Sequence, residues 1–211
     1  AEKFVDMNWK VDESGEIKNA LLTITERWPA ALQLGLLAFA GKDISAENIP
    51  RLFINDPLVS DYIIQNIFEA LPEKLAEFIQ VSSCLDKLNA SLYNNILGIV
   101  DSQRYINELI EKGLFLQPID DNCQWYAYHK LFNELLRNQL LLNDLDRYQR
   151  ICFKAAQWYR NNEFPDEAIE YAFKAGEQDF AMTALVDYLP RLLYEARFNA
   201  LNRLISMIGN K

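Results

Sequence analysis

A single histidine and three well-separated cysteines are all that 211 residues offer as imidazole or thiol ligands. Cys84, Cys123 and Cys152 fall in no metal-ligand spacing, so a zinc site has no support. An odd, scattered count of thiols is expected of reduced cysteines in the cytosol. Glycine and proline are scarce, at 7 each, which leaves little material for an all-β fold with many tight turns. The first residues, with Glu2, Lys3 and Asp6, lack the apolar core of a secretion signal. The longest apolar run, Trp28 to Gly41, is too short to span a bilayer and contains Gln33. A soluble, cytoplasmic chain without membrane association is therefore expected. Phosphate-cradling GxxxxGK[ST], GxSxG and HExxH patterns are all missing. The chain is thus not expected to grip a nucleoside triphosphate in the usual way, and it offers no catalytic residue and no metal site. Asp120-Asp121 and the pair Asp144 and Asp146 read as turn and cap residues and not as catalytic carboxylates.

What is present is ordinary for a folded domain: 50% hydrophobic and 24% charged residues, too apolar for disorder. The net charge is −9, and both halves of the chain are acidic. That balance argues against binding a polyphosphate backbone, which rests on Lys and Arg displacing counterions.

Periodicity predicts a mainly α protein. After a weakly patterned stretch over residues 1–14, such as a segment cut from a longer protein would show, a helix is expected from Glu16 to Arg27, with Ser14 as its cap. Pro29 suits the first turn of a second, nearly all-apolar helix over residues 30–40. Residues 42–56 read as a loop with a short apolar piece, Leu52-Phe53-Ile54. Asp56 and Pro57 then open a helix to Ala70. Three short helices follow, over 72–81, 90–97 and 102–112, the last capped by Asp101 and stopped by Gly113. Strands Leu114–Ile119 and Gln124–Tyr128 flank the turn Asp120-Asp121-Asn122. In the second strand Trp125 and Ala127 face one side, and Tyr126 and Tyr128 the other. Three helices and a hairpin are the order of a winged helix.

A helix from His129 to Leu142 returns, with Leu131, Phe132, Leu135 and Leu136 on its buried face. Beyond Asn143 helices are expected at 145–161, 165–175, 178–188, 190–197 and 199–208. Small residues such as Ala155, Ala168 and Ala172 let such helices pack closely, as in tetratricopeptide-like helical hairpins. The expected fold is thus a helical bundle plus a winged helix with one β-hairpin, followed by tetratricopeptide-like hairpins.

A winged helix invites a DNA-binding reading, and charge speaks against it. The candidate recognition helix sets Asp101, Glu108 and Glu111 against Arg104 and Lys112, a net −1, and the wing turn is acidic. Like charges face phosphates at a cost in affinity. Arg147, Arg150 and Lys154 form one basic stripe, best read as a solvated helix face. Lys130 and Arg137 share a face of the helix that His129 opens; they could add positive potential near a phosphate, and an exposed flank explains them as well. Trp125, Tyr126 and Tyr128 suit core packing better than base stacking. His129 stands where a phosphate sensor could sit, although on spacing alone a histidine at a helix start is more often structural.

Several stretches match one family. Glu26-Arg27-Trp28-Pro29-Ala30-Ala31-Leu32-Gln33-Leu34 resembles the GWPA(A/G)LQL signature of the MalT-like, LuxR-type signal-transduction ATPases with numerous domains. Leu71-Pro72-Glu73 and Ser83-Cys84-Leu85-Asp86-Lys87-Leu88 are similar to its LPEE…SVLDRL. Gly113-Leu114-Phe115-Leu116 with Asp120-Asp121, and Trp125-Tyr126-Ala127-Tyr128-His129-Lys130-Leu131-Phe132, resemble GLFLVPLDD…WYRYHHLF. Ala155-Ala156-Gln157-Trp158-Tyr159, Glu167-Ala168-Ile169-Glu170 and Ala175-Gly176 resemble AAEWY…EAIEHALAAG. Their order and spacing extend the likeness over roughly residues 16–177. Arg27 stands where the motif has glycine, and Lys130 where it has a second histidine.

The resemblance implies three parts. Residues 1–56 would be the helical tail of a nucleotide-binding module, residues 57–143 linker helices and the winged helix, and residues 144–211 the start of a helical-repeat arm. It implies two nucleotide-sensing residues that act only together with the rest of that module: Pro29 beside the adenine and His129 near the β-phosphate. ATP or ADP with magnesium would belong to the parent protein, a slow regulatory ATPase, and none to this segment. The implied partners are the N-terminal nucleotide-binding module and a small-molecule or protein inducer at the arm; direct nucleic-acid binding would lie elsewhere. The expected function is regulatory, coupling nucleotide state to an effector-sensing arm in a transcriptional activator, without catalysis by the segment itself. The alternative is a helical-repeat scaffold that binds a protein or small molecule and switches with no nucleotide.

Overall fold

The computed structural model describes residues 16–25, 45–56 and 71–197, together with Leu32, Gly35, Phe39, Val59, residues 202–204 and Ser206. It is mainly helical, with one small two-stranded sheet. The chain divides into two compact units, Ala1–Ser83 with Tyr128–Gln139, and Cys84–Ala127 with Leu140–Lys211.

In the first unit, α1 spans Glu16–Ile24 and buries Leu21 and Leu22. Its last turn is closed by the Thr25 hydroxyl, which donates to the Leu21 carbonyl at 2.6 Å. Ser14, Arg27 and Pro29 lie outside the described residues. Of the apolar helix expected over 30–40, Leu32, Gly35 and Phe39 are described; all three are helical and buried, at the spacing of one helix face.

The stretch 42–56 departs from expectation. A 3₁₀ turn, Ala46–Asn48, leads into helix α2, Ile49–Asn55. Pro50 occupies the first turn, where its missing N–H costs nothing. Ile49 and Phe53, four residues apart, are both fully buried. The apolar piece Leu52-Phe53-Ile54 was too short for its period to be read, so its helical character rests on burial. The Phe53 ring meets Phe39 edge-on, with centroids 6.1 Å apart. Gly35 permits this approach: a Cβ there would stand 2.8 Å from the Phe53 ring and 2.9 Å from Leu21 Cδ2. Of the helix expected at 57–70 only Val59 is described, and it is helical and buried.

Helix α3, Glu73–Ser82, buries Leu75, Phe78, Ile79, Val81 and Ser82. In the second unit, α4 spans Ala90–Leu97, the bounds read from the sequence, and the Asn89 side chain caps it by accepting from the N–H groups of Ser91 and Leu92. Helix α5, Ser102–Glu111, was expected to be capped by Asp101. The Asp101 side chain makes no cap bond. The Ser102 N–H instead donates to Asn94 Oδ1 at 2.9 Å, a side chain of the preceding helix. Gly113, at φ +67°, ends α5; the Leu114 N–H turns back to the Leu109 carbonyl at 2.9 Å.

The hairpin strands are shorter than expected. β1 is Leu116–Pro118 and β2 is Tyr126–Tyr128. The Asp120 carboxylate explains the loss at the turn: its Oδ1 accepts from the N–H groups of Gln124 and Trp125 at 3.0 and 2.8 Å, drawing the chain into the turn. Leu88 adds an antiparallel bridge to Tyr126, with both backbone bonds made, at 2.7 and 2.8 Å.

Helix α6, Lys130–Asn143, buries the four apolar residues expected of it, and Asn133 as well. The arm follows as α7 (Leu145–Asn161), α8 (Pro165–Ala175) and α9 (Gln178–Tyr194). α7 packs on α8, α8 on α9, and α7 also on α4. Helices expected at 178–188 and 190–197 are one: α9 runs through Pro190. Leu185, Tyr188 and Leu192 keep one buried face across the proline, while Val186, whose carbonyl loses its helical donor, lies on an exposed face with water at hand. Of the helix expected at 199–208, residues 202–204 and Ser206 are described and helical. Among the described residues no helix is long and apolar enough to cross a membrane.

Candidate functional site

The junction of β2 and α6 holds the one histidine. Alternation in β2 turns Tyr126 and Tyr128 inward, both buried, and leaves Ala127 half-buried. The Tyr128 phenol and the Ser82 hydroxyl at the end of α3 share a buried hydrogen bond of 2.7 Å. Burial pushes the Tyr128 phenol well above its ordinary value, and the Ser82 bond offsets part of that. The Tyr128 ring also meets Phe132, one turn into α6, at 5.5 Å between centroids.

These contacts fix the residue between them. His129 is half-buried, and both ring nitrogens are shielded from solvent. Its carbonyl accepts from the Asn133 N–H at 3.0 Å, so it opens α6 from the cap position, as the sequence implied. Lys130 points outward, 77% exposed, with Glu134 3.9 Å away, a pair worth little in water. Arg137 does not add to an open basic face, since its Nε donates to the Ser83 carbonyl at 3.2 Å and holds α6 to the end of α3.

Pro29, the second sensing residue implied by the sequence, lies outside the described residues, as do Arg27 and Trp28. His129 is turned inward, Arg137 is engaged by backbone, and Lys130 stands in solvent. No group of three His, Cys, Asp or Glu side chains that could hold a metal ion occurs among the described residues.

In the second unit the acidic wing turn is structural, its Asp120 carboxylate being occupied by backbone N–H groups. The basic stripe on α7 is partly committed too, because Lys154 Nζ donates to the Ile96 carbonyl at 2.8 Å, at the end of α4. The polar face of α5, from Arg104 to Lys112, opens onto solvent beside a shallow depression of about 530 Å³ lined by both charge signs. Sequence reasoning missed the joints that long-range partners make. Asn94 as the cap of α5 left no local signal, and neither did Asp86 paired with Tyr171 across 85 residues.

This architecture, three helices and a short hairpin ahead of a helical arm, can be set against known proteins. Residues 64–148 match the MalT winged helix domain. This chain carries a MalT-type winged helix. The MalT domain, a domain of transcription-regulator type, thus contains α3 to α6, the hairpin and His129. Similarity reaches further along the chain. The HTH-type transcriptional regulator MalT of Klebsiella pneumoniae subsp. pneumoniae is 28% identical over 190 residues, 89% of this chain and 21% of that protein. MalT of Klebsiella pneumoniae strain 342 is 26% identical over 210 residues, 99% of this chain and 23% of the regulator. The serine/threonine-protein kinase PknK of Mycobacterium tuberculosis is 27% identical over 158 residues, 75% of this chain and 14% of the kinase. The chain thus spans less than a quarter of each of these relatives.

Proposed function

We propose that this chain is the regulatory segment of a MalT-like, LuxR-type transcriptional activator. It couples the state of a neighbouring nucleotide-binding module to an effector-sensing, tetratricopeptide-like arm and is not catalytic by itself. One observation carries the reading: the MalT winged helix match spans the strand–helix junction that holds the only histidine of the chain. The segment lacks a phosphate-binding loop, so ATP or ADP and magnesium belong to the parent protein's nucleotide module. Pro29 and His129 are the residues through which the segment senses that module. A small molecule or a protein acts as inducer on α7 to α9. The acidic α5 and wing leave DNA contact to another part of the parent.

The test uses the parent protein with its nucleotide-binding module. His129→Ala is expected to lower ADP retention and to raise basal activity. If both are unaltered, His129 has no sensing role.

A second reading has its own observation, the similarity to a protein kinase over 75% of this chain. The same winged helix and arm would then serve as an input device for a phosphotransfer output in place of a DNA-binding one. The output domain encoded beside this segment decides between the two.

A further inference from the structure

Inside the second unit, four side chains from three separate stretches line up in one column. The Trp125 ring, immediately before β2, lies 6.4 Å from Tyr159 on α7 and 6° from parallel. Tyr159 lies 5.6 Å from Tyr171 on α8 and 11° from parallel. The Lys174 ammonium sits 4.4 Å above the Tyr171 ring. The column is closed by Asp86, in the loop between α3 and α4. The Tyr171 hydroxyl donates to Asp86 Oδ2 at 3.0 Å and accepts from the Asp86 N–H at 2.9 Å. Lys174 also reaches the Asp86 carboxylate at 3.6 Å. Two residues beyond Asp86, Leu88 pairs with Tyr126 of β2, so the path returns to the wing strand from which it began.

We propose that this closed loop of contacts is a coupling device that makes the wing hairpin and the first two arm helices move as one body. Its purpose rests on the switch reading above, but its existence does not. Aromatic pairs favour offset-stacked and edge-to-face arrangements over a face-to-face sandwich, so the stacks set a preferred orientation of the rings. The Tyr171–Asp86 pair is bidentate, so it fixes orientation as well as distance. Trp158 and Phe164 buttress the Trp125 ring from its edges, with centroids at 6.3 and 5.6 Å. A rearrangement of α7 against α8 cannot keep both the Tyr159–Tyr171 stack and the Asp86 bonds, so it must displace either the wing or the loop that pairs with it. Spatial continuity alone is not coupling, and the experiment therefore measures coupling directly.

Amide hydrogen exchange is followed on the whole 211-residue chain, without nucleotide. Tyr171→Phe keeps the ring stack and removes the hydroxyl that joins α8 to Asp86. Exchange in residues 84–89 and 116–126 is expected to rise about tenfold, the size that one lost hydrogen bond gives. Asp187→Asn, which breaks the exposed Arg160–Asp187 pair of 2.7 Å elsewhere on the arm, is expected to leave those residues unchanged. Unchanged wing exchange in Tyr171→Phe overturns the proposal; so does an equal rise in the Asp187→Asn control, which would mean general softening. A denaturation cycle of Trp125→Leu, Tyr171→Phe and the double variant gives the second readout. Coupling requires a non-additive cycle, whereas two independent packing roles give an additive one and refute the device. Neither measurement involves nucleotide, so a failure here leaves the sensing role of His129 untouched, and a failure of His129→Ala leaves the column standing.

Discussion

Trp125 lies parallel to Tyr159, 6° between ring planes, and this stack fastens the wing strand to the first helix of the arm. Trp125 is only half-buried, yet three rings of the arm surround it. Its value lies in the area it shares and in the geometry of those pairs. Trp125→Ala is expected to cost about 3 kcal/mol. Urea denaturation reads it, and an unchanged midpoint would contradict the packing described.

The pair Tyr128 and Ser82 lends itself to a double-mutant cycle. Ser82→Ala leaves the buried phenol short of its partner, an expected loss of about 1–3 kcal/mol. Tyr128→Phe has a smaller cost, because the Ser82 hydroxyl also donates to the Ile79 carbonyl at 3.3 Å. The double variant should be less destabilised than the sum of the two. Simple additivity would mean that the 2.7 Å bond contributes nothing.

Alkaline pH should weaken the fold through the same phenol. The ordinary tyrosine value is 10.0, and burial raises Tyr128 above it. Tyr159 is raised by burial first and then by the charges of Glu167, Asp86 and Glu170. An unfolded phenol ionises near pH 10 while the folded one holds its proton. The stabilisation is therefore complete below pH 10 and declines as the pH climbs above it. Denaturation midpoints at rising pH should fall from about pH 10 upward, and less steeply in Tyr128→Phe. An equal slope in the variant would remove Tyr128 as a source.

Gly35→Ala opposes two effects. Alanine is the better helix former by about 1 kcal/mol. The new methyl, however, would stand 2.8 Å from the rigid Phe53 ring and 2.9 Å from Leu21, and overpacking of that kind costs about 1–3 kcal/mol. A net loss of stability is expected, seen as a lower melting temperature; a higher one would show that Phe53 yields freely.

Pro190→Ala has the opposite sign. It restores an N–H to an intact helix whose buried face already continues past residue 190. A gain of about 1–3 kcal/mol is expected, and thermal melting tests it.

Chain pattern by itself determined the helices whose apolar residues recur at helical spacing. α4, α7 and α8 occupy the residues read from periodicity and caps, because an amphipathic stripe and a terminal Gly, Asn or Pro act within one turn of their own position. That Tyr126 and Tyr128 share one side of β2 was legible for the same local reason, the two-residue period of a strand; burial showed that side to be the inner one. The order of three helices and a hairpin placed the winged helix with His129 at its junction, and the resemblance added the sensing role implied for that residue. Only the tertiary structure decided α2, whose short apolar piece shows its helical face once Ile49 and Phe53 are buried, and the unbroken course of α9, where an exposed Val186 tolerates Pro190. It alone replaced Asp101 by Asn94 as the cap of α5 and joined Asp86 to Tyr171. Such bonds link residues distant in sequence, and their energy depends on burial and geometry that exist only after the helices have packed.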